Sequence, residues 1–364
     1  MRRVPAVNAK ALIVGGGPAG AACAIGLARA GFPHLLVERA RETGDAICGG
    51  FLSWRTLDRL AALGIEADAL NPERLTQVRL FAGQRTATAA LPRPALAVSR
   101  QRLDTLLLAR AAAEGATIER GVAVRAIEGT QARTADGATL SVDTLFLASG
   151  KHDIRGLARP ADARGRDPTL GLRVRLPASA ALTHLLTGAI ELHLFPGGYA
   201  GLCLQEDGSA NLCMAVHRSR LDDAGNPEQL LTRLGNDLPA LGDRLARADS
   251  AGPVDAIANV PYGWRAHDAP AGIVRLGDQA GVIPSLAGEG MGIAIASGMA
   301  AAGAYARDAT MIGWQPRFAR RLARPMGVAS LVRRVVESRL AAPALFAARP
   351  ALIEALARLT RVAS

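Results

Sequence analysis

The stretch Ala11-Leu12-Ile13-Val14-Gly15-Gly16-Gly17-Pro18-Ala19-Gly20 decides the fold. Four apolar residues, a run of glycines and a proline at the head of a small-residue segment read as a short buried strand, a tight turn and a helix from about Pro18 to Ala30. Gly15 permits the turn, Gly17 lets backbone N–H groups approach a pyrophosphate with no Cβ in the way, and Gly20 lets helix and strand pack closely. Pro18 and Ala19 then sit at the helix N-terminus that faces the phosphates. A second strand, His34 to Val37, ends at Glu38, where a carboxylate can accept from the hydroxyls of an adenosine ribose, and Arg39 adjoins it. The unit predicts a dinucleotide site that suits NAD or FAD. It also disposes of a signal-peptide reading of the apolar run after Arg2 and Arg3, because glycines and a proline interrupt it. The uncharged run 290–306 is shorter than the ~20 apolar residues a bilayer span needs.

Working outward, 364 residues of which 49% are hydrophobic and 21% charged predict a globular chain of more than one domain, with no need of stapling. No low-complexity tract or fixed-period repeat is present, which excludes disorder, collagen, solenoids and coiled coils. The net charge of +11 would suggest nucleic acid or an anionic membrane if the basic residues were clustered. All but Lys10 and Lys151 are arginines spread along the chain, a pattern that argues against nucleic acid. Cys23, Cys48, Cys203 and Cys213 lack the spacing of a zinc site and are too sparse for a disulfide framework, so no metal is expected and a reducing cytoplasm is.

Towards the C-terminus a short apolar strand ends in Gly277-Asp278, followed by Gln279-Ala280-Gly281, Pro284 and Gly288-Glu289-Gly290-Met291-Gly292 opening a helix. The amides of Gly288, Gly290, Met291 and Gly292 at this second helix end would suit the pyrimidine edge of a reduced isoalloxazine, which carries negative charge, and Asp278 could accept from ribityl hydroxyls. NAD has no such need, so the dinucleotide is expected to be FAD. On these patterns the chain resembles the FAD superfamily that includes the aromatic-ring hydroxylases and the geranylgeranyl-reductase-like flavoenzymes. The glycine loop with Glu38 is similar to its ADP-binding motif, Gly277 to Gly292 to its second FAD motif, and Arg100-Gln101-Arg102-Leu103-Asp104 to its RxxLD element. The resemblance, which runs from about Lys10 to Ala306, implies that Arg100 approaches the FAD phosphates or ribityl chain and that Asp104 holds the turn. Cys48-Gly49-Gly50 is similar to the reductase branch, whose members carry a Cys-Gly pair beside the flavin. Three departures matter. Ser149 stands where the hydroxylases and many reductases carry Asp. Gly201, in Phe195-Pro196-Gly197-Gly198-Tyr199-Ala200-Gly201, stands where the prenyl reductases place Trp, which argues against a prenyl substrate. Pro261-Tyr262-Gly263-Trp264 does not fit the WxWxIP signature of flavin-dependent halogenases, which argues against halogenation.

The expected architecture is α/β: a Rossmann-like FAD-binding domain (1–74, 99–169 and 265–310), an inserted antiparallel β-sheet substrate domain (75–98 and 170–264) and a C-terminal helical segment (311–364). Strands of the second domain would cover the flavin's reactive face and exclude water. His193, Tyr199 and Trp264 are the groups there that would face the ring, and Cys48, Tyr199 and His193 are the candidate catalytic residues. Cys203 and Cys213 flank the Asp207-Gly208 turn: a two-residue loop pairs Cys203 with Leu212, and a three-residue loop sets the cysteines opposite each other. Beyond Thr310, Arg317, Arg320, Arg321, Arg324, Arg333 and Arg334 recur among apolar residues at helical spacing, with Pro325, Pro343 and Pro350 between them. These predict short amphipathic helices, docked as a lid or attached to a membrane surface or partner that delivers an apolar substrate. The expected function is an NAD(P)H-dependent FAD oxidoreductase acting on an apolar or aromatic small molecule. Oxygen-dependent hydroxylation and carbon–carbon double-bond reduction both remain open, and a non-catalytic flavin- or dinucleotide-binding protein is the alternative.

Overall fold

The computed structural model describes residues 10–248, 251–347 and 349–362. The chain is α/β. Its first sheet has five strands in the order Ile273–Arg275, Thr144–Leu147, Ala11–Val14, His34–Glu38, Thr117–Arg120, all parallel. Ala11–Val14 and Thr144–Leu147 are fully buried, which is why they read as unbroken apolar runs without alternation. The chain leaves Ala11–Val14 at the point where strand order reverses, so the glycine turn opens on the crevice at the strands' C-terminal ends.

Two helices, Pro18–Arg29 and Gly290–Arg307, pack backbone to backbone beside this sheet. A Cβ at Gly298 would lie 2.3 Å from Ala19 O, and one at Gly20 would lie 1.9 Å from Gly15 O. A side chain at Gly298 would push the two helices apart, and one at Gly20 would push the first helix off its own glycine turn. Ile127 and Ala132 of a small antiparallel sheet (Val124–Glu128, Gln131–Thr134, Thr139–Ser141) share a core with Leu145 and Leu147.

A second sheet has eight strands in the order Asp255–Val260, Thr169–Leu176, Ala210–His217, Gly198–Leu204, Ala189–Phe195, Leu75–Ala82, Arg85–Ala97, Phe51–Leu52. It is not wholly antiparallel: Ala189–Phe195 runs parallel to Leu75–Ala82. These strands come from separate excursions of the chain, so no tight turn forces them antiparallel. Arg85–Ala97 is a strand of 13 residues. Opposite Cys203 stands Asn211, and opposite Cys213 stands Gly201. Neither anticipated pairing holds, because Gln205 N bonds Ser209 O and the ladder closes on Glu206, Asp207 and Gly208. The cysteines are free and offset by two residues.

The C-terminal segment corrects another expectation. Trp314–Val336 is one helix of 23 residues that continues through Pro325. Phe318, Leu322, Pro325 and Met326 are buried along one side, and this packing offsets the roughly 3 kcal/mol that an interior proline costs. Ala341–Ala347 and Pro350–Leu359 follow. Among the described residues no helix is long and apolar enough to cross a membrane.

Candidate functional site

A cavity of about 660 Å³ runs between the two sheets. Gly17, Pro18 and Ala19 of the first helix end border it, and so do Gly288, Gly290 and Met291 of the second. Cys48, Gly49, Arg100, Gly277 and Asp278 border it as well. The two glycine motifs touch: a Cβ at Gly277 would stand 3.0 Å from Ala19 Cβ. At Gly290 a Cβ would meet nothing within 4 Å, so the helix end opens directly on the cavity.

Other expected cofactor residues act from behind the wall. Glu38 Oε2 accepts from Gly16 N at 2.7 Å and Oε1 from Ala40 N at 2.9 Å, which fixes the carboxylate under the glycine turn with lone pairs left over. Gly15 and Gly20 serve backbone packing, as does Gly292, whose Cβ would come 2.6 Å from Glu289 Oε1. Arg39 is exposed, lies 2.8 Å from His152 Nε2 and does not border the cavity. Its side chain leaves the strand on the solvent side, away from the turn.

Ser99 caps the Arg100–Ala113 helix, its hydroxyl accepting from Arg102 N at 3.1 Å. Ser99 therefore holds the turn, and Asp104 instead grips Arg100 through two bonds of 2.9 and 2.6 Å. Burial opposes the Arg100 charge, but Asp104 outweighs it and raises the pKa above the ordinary guanidinium value. A fixed cation thus faces the cavity beside Gly17. Ser149 Oγ donates to His152 O at 2.7 Å and closes a turn that presents Gly150 and Lys151 to the cavity. Lys151 Nζ lies 3.4 Å from Asp278 Oδ2, and that carboxylate is the main reason its pKa is raised. Lys151 escaped sequence reasoning although it is one of only two lysines among 43 basic residues.

Two helix N-termini and the cations Arg100 and Lys151 along one elongated cavity, with the Glu38 carboxylate fixed under the first glycine turn, fit FAD. Phosphates would lie against Gly17 and Arg100, the ribityl chain by Asp278, and the flavin's pyrimidine edge at Gly290 and Met291.

The rest of the cavity is an apolar chamber. Leu80, Ile190, Leu192, Leu194 and Met214 line it from the second sheet, and Val332, Val335 and Leu356 from the C-terminal helices. Its polar exceptions are few. Tyr199 and Tyr262 both hydrogen-bond Ser285, Tyr262 at 2.5 Å. Burial raises both phenol pKa values, so both hydroxyls stay protonated near neutral pH. Cys48 borders the chamber with Cys213, whose thiol burial pushes up to about 12.

Of the expected reacting groups, Tyr199 and Cys48 therefore meet at the cavity. His193 does not. Strand alternation turns Ile190, Leu192 and Leu194 to the cavity and Glu191 and His193 to the opposite face. There His193 stacks on Phe81 at 4.7 Å and lies 3.4 Å from Glu191. Against burial, which would raise it, His193 and Arg244 bring the Glu191 carboxyl down to about 2. Trp264 is also absent from the wall, its ring lying against the guanidinium groups of Arg159 and Arg275. Tyr262, two residues earlier, takes the place expected of it. The missed hydroxyls of Tyr262 and Ser285 carried no motif; they meet Tyr199 through three separate segments.

The second helix end is also tied to the far end of the chain. Glu289 is fully buried, and its Oε2 accepts from Arg361 Nη1 at 2.7 Å and from Ser53 Oγ at 3.0 Å. Arg59 Nη2 donates to Val362 O at 2.7 Å. Among the described residues no group of three or more His, Cys, Asp or Glu is placed to hold a metal ion.

Residues 8–145 match the sequence family described as FAD binding domain. No curated protein matches the chain by sequence. Several solved structures share the fold. The flavin-dependent brominase Bmp2 aligns at 16% identity and a TM-score of 0.76, over 97% of this chain and 93% of that one. A flavoprotein/dehydrogenase from Cytophaga hutchinsonii aligns at 17% and 0.77, over 97% and 91%. The probable FAD-dependent monooxygenase PqsL from Pseudomonas aeruginosa aligns at 19% and 0.71, over 93% and 100%. Residues 8–145 thus resemble an FAD binding domain, and nearly the whole chain shares the fold of these solved structures.

Proposed function

We propose that this flavoprotein fold works as an FAD-dependent oxidoreductase on an apolar or aromatic small molecule, with NAD(P)H as the electron donor. One observation carries the reading: the wall that fits FAD continues without a break into an apolar chamber. Bound FAD would supply the two-electron chemistry, spent with oxygen on hydroxylation or passed as a hydride to a carbon–carbon double bond. The protein contributes placement and a dry site. Leu80, Leu192, Leu194 and Met214 exclude water from the reacting region. Tyr199 and Tyr262 stay protonated and act as hydrogen-bond donors that orient a polar end of the substrate, not as bases. The amides at Gly290 and Met291 face negative charge on the cofactor.

Oxygen-dependent oxidation is the first reading, supported by the fold shared with a probable monooxygenase and a flavin-dependent brominase. Double-bond reduction is the second, favoured by Cys48-Gly49 at the cavity wall. Incubation with NADPH and candidate substrates, with and without oxygen, separates them. Product that requires oxygen supports hydroxylation, and anaerobic consumption of NADPH with an olefin supports reduction. A colourless protein that takes up no FAD would leave a non-catalytic role.

A further inference from the structure

Net charge along the chain is uneven once acids are counted with bases. Residues 311–364 hold ten arginines against Glu337 and Glu354, with no lysine or aspartate, so this segment carries +8 of the total +11. Elsewhere acids nearly balance the arginines.

The same segment holds every exposed large hydrophobic residue among those described: Ile312, Leu331, Leu340, Leu352 and Leu359. Along Trp314–Val336, Arg317, Arg320, Arg324, Leu331 and Arg334 are exposed at three-, four- and seven-residue spacing, one face of the helix. Along Pro350–Leu359, Leu352 and Leu359 are exposed at seven-residue spacing on one face, and Arg358 is exposed next to Leu359. Exposed leucines set among arginines are an unfavourable surface in water and a favourable one at a lipid headgroup boundary, where the leucines enter the acyl region and the guanidinium groups meet phosphates. Leu331 and Leu352 do more than face outwards. They are 57% and 51% exposed and also line the cavity, so they stand at its mouth.

We propose that the C-terminal helices dock the protein on an anionic phospholipid surface, with the mouth between Leu331 and Leu352 turned to the lipid so that an apolar substrate enters the chamber without crossing water. Charge complementarity selects this occupant over a second copy of the chain, whose matching face would bring like charges together. A bilayer of zwitterionic lipid would leave the arginines without counter-charge.

The test is co-sedimentation of the full chain with vesicles of phosphatidylcholine alone and of phosphatidylcholine mixed with phosphatidylglycerol, at low and high salt. Binding is expected only to the mixed vesicles and weaker at high salt. Arg320→Glu with Arg324→Glu, and separately Leu340→Asp with Leu359→Asp, are each expected to lower the bound fraction about tenfold. Flavin content and thermal melting of these variants should match the parent, because none of the four residues lines the cavity. Failure to sediment, equal binding to both vesicles, or binding unmoved by both pairs of substitutions would overturn the proposal. Self-association that the same substitutions abolish, seen by light scattering, would overturn it too and make this face an interface between copies.

Discussion

At Gly17 and Gly290 the cavity wall is backbone, contributed by two helix ends; at Leu192, Met214 and Val335 it is side chain, contributed by distant strands and helices. The difference separates two tasks. Backbone amides in fixed geometry recognise a cofactor that never varies, and they tolerate no side chain where the helices meet. A wall of exchangeable apolar side chains sets which substrate enters, and each of its residues can change without loss of the fold.

If that contrast is right, the largest effect of a single substitution falls at Gly20, where a Cβ would come 1.9 Å from Gly15 O. Gly20→Val is expected to cost more than about 3 kcal/mol and to abolish flavin retention. A urea midpoint and a flavin spectrum close to the parent's would break the account of the backbone wall. Next comes Glu289→Ala, which strands Arg361 in a buried site and releases the chain end from the second helix end. The expected loss is about 3 kcal/mol, seen in the same urea titration; Glu289→Gln should lose less because it still accepts hydrogen bonds.

On the side-chain wall the effect should move from stability to substrate. Gly201 borders the chamber, and a Cβ there would sit at an ordinary 3.5 Å from Leu192 Cδ2. Gly201→Trp is therefore expected to fold and keep its flavin while raising KM for a bulky substrate about tenfold. Lost flavin with unchanged KM would reverse the assignment of the two walls.

The smallest effect is electrostatic. His217 Nε2 lies 3.0 Å from Glu337 Oε2 and 3.3 Å from Arg333 Nη2, and its Nδ1 lies 3.4 Å from Asp167 Oδ2. The Glu337 hydrogen bond raises the His217 pKa above its ordinary value in the folded protein. Its stabilisation is then fully present below about pH 6.5 and disappears as pH rises through the folded value. Unfolding free energies of the parent and His217→Asn, from urea titrations, should differ by less than about 1 kcal/mol at low pH and converge at high pH. A difference that grows with pH would remove this clamp on the long C-terminal helix.

The same contrast explains what could be read from the chain alone. Gly15 to Gly20 and Gly288 to Gly292 announce themselves because a helix end that binds phosphate or flavin needs small residues in consecutive order. The chamber has no such order. Whether His193 or Leu192 faces the cavity depends on a one-residue choice of strand phase, and Trp264 yields to Tyr262 through a turn that no local pattern fixes. The Tyr199–Ser285–Tyr262 contact needs three segments to converge, and Glu289 with Arg361 needs two, 72 residues apart. Pro325 misled because a proline reads as a helix break until tertiary packing outweighs it.

The central claim is that one cavity holds FAD from the first glycine turn to the Gly290 helix end, with Glu38 on the ribose. Titration of the flavin-free protein with FAD, followed by absorbance and fluorescence, tests it most directly when run beside Glu38→Arg. The account predicts uptake of a single equivalent by the parent and at least about a hundredfold weaker binding by the variant, with the variant's circular dichroism unchanged. Equal uptake by both proteins, or none by the parent, would contradict it.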